Sequence, residues 1–152
     1  MRIARSWIVV FSWVAIAFGA DPDPFIGTWK LNWDKSRSSD AKPKTAVRSY
    51  RKSGNGVRVS ELWVDENGKR VKLDYVAAYD GKDYAVRTTK GNTVSFTRPD
   101  AHTVVGSSKV GGNVAYTFRR FVSEDGKTLT IHLTTPSGGS TPTQVLVYDR
   151  VK

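Results

Sequence analysis

Apolar and polar positions alternate along most of this chain from residue 25 onward. In Phe25–Leu31 (FIGTWKL), Phe25, Gly27, Trp29 and Leu31 share one face, and Ile26, Thr28 and Lys30 share the other. A period of two with one apolar face is the pattern of a half-buried strand. Gly27 on that face leaves room for a close neighbour, and Trp29 brings a large ring whose N–H needs a partner. The stretch suits the plug at the base of a closed sheet. Val71, Leu73, Tyr75, Ala77 and Tyr79 repeat the alternation, as do Val114, Tyr116, Phe118, Arg120 and Val122, and Leu129, Ile131 and Leu133. Between Val57 and Val64 the pattern breaks step, with Val57 and Val59 on one phase and Leu62 and Val64 on the other. A bulge near Glu61 would reconcile the two.

Turn chemistry separates the apolar runs. Gly54-Asn55-Gly56, Asn67-Gly68, Asp80-Gly81, Gly91-Asn92, Pro99-Asp100, Gly111-Gly112-Asn113, Asp125-Gly126 and Ser137–Ser140 all favour reversals. Between them the spacing predicts strands over Phe25–Trp33, Lys44–Lys52, Val57–Asp65, Lys69–Tyr79, Asp83–Thr88, Thr93–Arg98, Thr103–Val110, Val114–Val122, Thr128–Thr135 and Thr141–Val151. Residues Asp34–Pro43 are polar and aperiodic, a loop with room for one helical turn. Short strands joined by hairpins indicate an all-β antiparallel up-and-down meander. Closure into a barrel of about ten strands would remove its edges; the alternative is an eight-stranded barrel with an extra hairpin.

The first residues read differently. Arg2 and Arg5 precede an apolar run from Trp7 to Phe18, and Ala15, Ala17, Gly19 and Ala20 supply small residues at its end. This is the pattern of a secretory signal, with cleavage near 17–20. Residues 1–19 are accordingly expected to be removed and 20–152 to form one domain, exported to a periplasm or beyond; an uncleaved N-terminal anchor is the alternative. The run is short for a membrane span, and no Cys follows it to take a lipid. Asp21-Pro22-Asp23-Pro24 then forms a stiff lead-in.

The 152 residues suffice for one domain with a real core. The absence of Cys excludes disulfides, thiolate metal sites and a Cys nucleophile. The two His residues, His102 and His132, fall in a turn and on a Thr-rich face, where solvation is expected, and no face carries paired carboxylates. No catalytic, metal or cofactor constellation emerges. The net charge of +10 is concentrated after the first strand, at Lys35, Arg37, Lys42, Lys44, Arg48, Arg51 and Lys52. Such density reads first as a solvated surface and second as a surface for anionic lipid or polymer. No specific nucleic-acid motif accompanies it.

Gly27-Thr28-Trp29-Lys30-Leu31-Asn32 with Lys35-Ser36, the YDGKDY run at Tyr79–Tyr84, EDGKTLTI at Glu124–Ile131 and the closing Tyr148-Asp149-Arg150 together resemble the small exported lipocalin-like barrels of bacteria, within the calycins. The resemblance spans nearly all of 20–152. It implies a barrel around a small apolar or amphipathic molecule, and a basic residue near the end of the last strand, here Arg150, packed on Trp29. Two features differ from the related fatty-acid-binding proteins. Asp34–Pro43 is too short and polar for a helical lid, and Leu146-Val147-Tyr148 stands where an Arg-x-Tyr carboxylate clamp would be.

A closed sheet of ten strands should enclose a cavity. Arg120, on the face of Tyr116 and Phe118, and Arg98, on the face of Val94 and Phe96, are the candidates to grip a carboxylate or phosphate. Trp63, Tyr75 and Tyr79 are candidates to line the cavity, while Gly27, Trp29 and Arg150 are expected to be structural. The expected function is an exported, monomeric, non-enzymatic binding protein holding a small hydrophobic or amphipathic ligand. The alternative is an envelope-associated module that uses its basic surface on anionic lipids or polymers. An enzyme would need an inward-facing acid or base.

Overall fold

The computed structural model describes residues 22–152, so the expected signal segment and its expected cleavage site lie outside the described residues. Ten antiparallel strands follow in order: β1 (Gly27–Leu31), β2 (Thr45–Ser53), β3 (Gly56–Val64), β4 (Arg70–Ala78), β5 (Tyr84–Ala85), β6 (Asn92–Asp100), β7 (Thr103–Val110), β8 (Asn113–Val122), β9 (Thr128–Thr134) and β10 (Gln144–Arg150). Each pairs with its neighbours in sequence, except that β4 does not pair with β5, and β1 pairs in addition with β10. The result is one up-and-down sheet rolled into a nearly closed barrel, with all ten strands in that sheet rather than eight and an added hairpin. No helix among the described residues is long and apolar enough to cross a membrane.

The seam between β4 and β5–β6 is fastened at two places. The Arg87 amide donates to the Asp74 carbonyl at 2.8 Å, and the Gly81 amide to the Phe96 carbonyl at 3.0 Å. The first clasp explains why β5 is shorter than the alternation of Asp83–Thr88 suggested: Arg87 turns from β6 to β4.

Register shifts fall between Thr97 and Asp100 and between Ser108 and Lys109. The bulge expected near Glu61 is absent, because β2 and β3 pair without interruption from Thr45↔Val64 to Ser53↔Gly56. The phase break has another cause. Val57, Val59, Glu61 and Trp63 form the inward face, and Leu62 and Val64 lie outside it.

The base of the barrel is plugged by the start of the chain. Phe25 and Trp29 are fully buried, and the Trp29 indole N–H donates to the Phe25 carbonyl at 3.0 Å. Arg150 lies over the Trp29 ring at 4.1 Å and donates to the carbonyls of Pro24, Ile26 and Gly126. A side chain at Gly27 would collide with that guanidinium, and the residue has φ of +144°. Gly106 answers a similar need in the wall: a Cβ there would sit 2.5 Å from the Phe96 Cβ, 2.8 Å from the Phe118 ring and against the Ser95 carbonyl. Gly106→Ala should therefore lower stability by about 1–3 kcal/mol, read as a shift in the chemical-denaturation midpoint.

At the opposite end the turns Asp65–Lys69, Arg87–Gly91 and Gly111–Gly112 and the loop Thr135–Thr143 surround the mouth. The loop between β1 and β2 lies at the same end; it holds a single 3-10 turn, Trp33–Lys35, with Asn32 accepting from the Lys35 amide.

Candidate ligand cavity

The barrel is hollow toward its mouth, with an interior cavity of about 310 Å³. Alternation aims Tyr116, Phe118 and Arg120 of β8 into it, with Leu73 and Tyr75 of β4, Trp63 of β3, Ile131 and Leu133 of β9 and Leu146 of β10. The walls are therefore mostly apolar, as in small-molecule sites, which run from about 300 to 1,000 Å³.

Three charged side chains stand inside. Arg48 is 7% exposed and donates through Nη2 to Glu61 Oε2 at 2.6 Å. The two are directly opposed in the β2–β3 register. The Tyr148 hydroxyl donates to the other Glu61 oxygen at 2.7 Å, and Arg48 Nη1 to the Tyr50 hydroxyl at 3.3 Å. Burial works to raise the Glu61 carboxyl, but the Arg48 guanidinium and the Tyr148 hydroxyl hold it below the usual carboxylate value. Burial, then the adjoining Glu61 charge, push the Tyr148 phenol well up, so it remains a donor.

Arg120 is the third charge and is treated differently. It is 5% exposed, and its guanidinium lies 3.8 Å from the centroid of the Phe118 ring and 5.8 Å from that of Phe96. Its Nη1 donates to the Tyr75 hydroxyl at 2.9 Å, and among the described residues Nε has no partner and no carboxylate forms an ion pair with it. The Nε of Arg48 is likewise unpartnered. Two buried guanidinium groups against one carboxylate leave the interior with one excess positive charge.

Of the expected ligand-binding residues, Arg120, Tyr116, Phe118, Trp63 and Tyr75 line this cavity. Arg98, Tyr79 and Phe96 do not, and the reasons are local. Arg98 is gripped by both oxygens of Asp23, at 2.7 and 2.9 Å, donates to the Ala101 carbonyl and stacks on Phe25 and Tyr79 at the base. It seals the plug instead of facing the cavity. Tyr79 lies in the same cluster, where burial and then Asp23 push its phenol up to about 12. Phe96 is buried core against Tyr75, Tyr79 and Phe118.

One further expectation is corrected, and one residue was missed. Arg48 does not belong to the solvated basic surface, and the interior does hold a carboxylate, Glu61. The signal that could have found both is their placement on inward phases of adjacent strands. The histidines are half-buried rather than freely solvated: His102 Nδ1 is 3.0 Å from the Val122 carbonyl, and His132 packs edge-on to Phe121. Among the described residues no three His, Asp or Glu side chains cluster as metal ligands would.

No protein-family model matches the chain, and no curated protein matches it. Its fold does match solved structures. The wild-type fluorescent protein UnaG superposes with a TM-score of 0.56 at 16% identity, covering 84% of this chain and 98% of that one. Two mutants of UnaG match at TM-scores of 0.58 and 0.57, with 16% and 17% identity. The likeness is one of fold: a single antiparallel sheet rolled into a barrel.

Proposed function

We propose that this protein is an exported, non-enzymatic carrier of one small amphipathic molecule bearing a single negative charge. The acid end sits at Arg120 and the apolar part runs toward Trp63, Leu73, Tyr116 and Leu133. The observation that carries this reading is Arg120 itself. A buried guanidinium with one neutral hydrogen-bond partner and an idle Nε–H is costly unless an anion meets it. Arg48 and Glu61 neutralise one another, so a ligand with one negative charge balances the interior. Glu61 is tied by Arg48 and Tyr148, which argues against its use as a general base and supports a binding role. The charged, apolar and small-residue order of the first twenty residues supports export.

The test uses leader-free protein and two fluorescent probes of similar size, anionic anilinonaphthalene sulfonate and neutral phenylnaphthylamine. Both should bind at one per chain. Arg120→Ala should weaken the anionic probe by about 1.5–3 kcal/mol and the neutral probe far less. Equal loss for both would remove Arg120 from head-group recognition, and no binding of either would remove the carrier reading. Native mass spectrometry of gently isolated protein should show a retained small anion.

A further inference from the structure

We propose that the mouth of the barrel is a docking surface for an anionic lipid bilayer. The proposal rests on the carrier reading only for what a docked barrel would exchange; the docking itself stands or falls separately.

The large apolar side chains most exposed among the described residues are Val71 (52%), Val110 (53%), Val114 (43%) and Val151 (46%). The first three are all at the mouth. Val71 is the cross-strand partner of Trp63, while Val110 and Val114 follow and precede the cavity residues Ser108 and Tyr116 by two positions. Val71 and Val110 therefore continue an inward face past the end of the cavity, and Val114, turned to the outer side beside Lys109 by the β7–β8 register shift, adds an exposed apolar edge to this lip.

The three positions are linked by main chain. The turn Arg87–Gly91 is bonded to β4 through the Arg87 amide and to the β7–β8 turn through Gly91, whose carbonyl accepts from the Gly111 amide at 3.2 Å. The lip thus runs from β4 across the seam to the β7–β8 turn.

Cations flank it. Lys69, Arg70, Lys72 and Lys90 are exposed and form no ion pair with any described carboxylate. Lys44 joins them, its Nζ lying against the Gly68 turn. The acids at this end are fewer and partly engaged. Asp65 accepts from the amides of its own turn, Asp40 accepts from Gln144, Asp34 pairs with Lys42 at 3.6 Å, and Glu66 remains exposed. The base carries Asp23, Asp80, Asp100, Glu124 and Asp125 in its turns, so the basic excess faces the mouth.

Charge alone would suit any polyanion. Exposed valines interleaved with unpaired cations suit a surface with anionic headgroups over hydrocarbon, where apolar side chains insert and each nearby cation strengthens binding about fivefold. A barrel seated this way would open its cavity directly onto the lipid.

The test is flotation of the 20–152 chain, which contains all ten strands, with vesicles of phosphatidylcholine alone or with roughly one-third phosphatidylglycerol. Circular dichroism would verify that each variant is folded. Capture is expected on the anionic vesicles only, and its loss in about 0.5 M salt. Lys69→Glu with Lys90→Glu should reduce capture at least roughly tenfold, and Val71→Ser with Val114→Ser should reduce it severalfold. Arg51→Glu with Lys52→Glu, at the base, should leave it within about twofold.

Equal capture by neutral vesicles, no capture at low salt, or an equal loss from the base variant would overturn the proposal. So would capture that heparin abolishes and the valine pair leaves unchanged, because that result assigns the cations to a soluble polyanion. Wild-type binding of the neutral probe is measured in parallel. Its retention when vesicles fail overturns docking alone, and its loss overturns the carrier reading.

Discussion

Glu61→Ala should destabilise the protein by about 3–5 kcal/mol, the loss seen when one partner of a buried ion pair is removed. The variant strands Arg48, already unpartnered at Nε, with only the Tyr50 hydroxyl at 3.3 Å, and takes the acceptor from Tyr148. Glu61→Gln should cost less, since an amide oxygen can still accept. Replacing both partners, Arg48→Met with Glu61→Leu, should recover most of the loss, because two apolar groups leave no charge behind. Equilibrium denaturation in urea measures all of these, and a loss under about 1 kcal/mol for the alanine variant would mean that water reaches Arg48 freely.

The same pair predicts a pH dependence. The folded-state value of Glu61 is depressed, so its contribution is present above the unfolded carboxylate value of about 4.3 and is lost as pH falls through the lower folded value. Acidification in that window should destabilise the wild type more steeply than Glu61→Gln.

Trp29→Ala should cost a comparable amount, about 3–5 kcal/mol, as deletion of large buried aromatics does. The ring is fully buried between Phe25 and the Arg150 guanidinium 4.1 Å away, and its N–H satisfies the Phe25 carbonyl. Small domains have about 5–15 kcal/mol in total, so the variant should be partly unfolded near physiological temperature. Trp29→Phe keeps most of the body and loses the donor, and should cost about 1–2 kcal/mol. If alanine cost no more than phenylalanine, the start of the chain would not be the plug of the base.

The strands and the plug were readable in the sequence because local features specify them. Period-two alternation and Gly- or Asn-containing turns located all ten strands, and the Gly27–Leu31 pattern identified the base. The cavity was readable where one strand states its own phase, as β8 does in placing Tyr116, Phe118 and Arg120 on one face. It was not readable where the deciding partner lies on another strand. Glu61 looks like a fault in an apolar alternation until Arg48 is set opposite it. Arg98 has the right face by phase, but Asp23, 75 residues earlier, holds it at the base. The short β5 likewise depends on the Arg87–Asp74 clasp, which no local pattern encodes.

The pairing of β1 with β10 has a bearing on how the molecule is made. Hairpins β2–β3–β4 and β6–β7–β8 can form as soon as they are synthesised, yet the first strand gains its second neighbour only when the last has emerged. Contacts of such long sequence separation slow folding, and until they form β1 and β9 each present a bare edge. Completion is therefore a single late event, possible only once the last strand is free to lie beside the first.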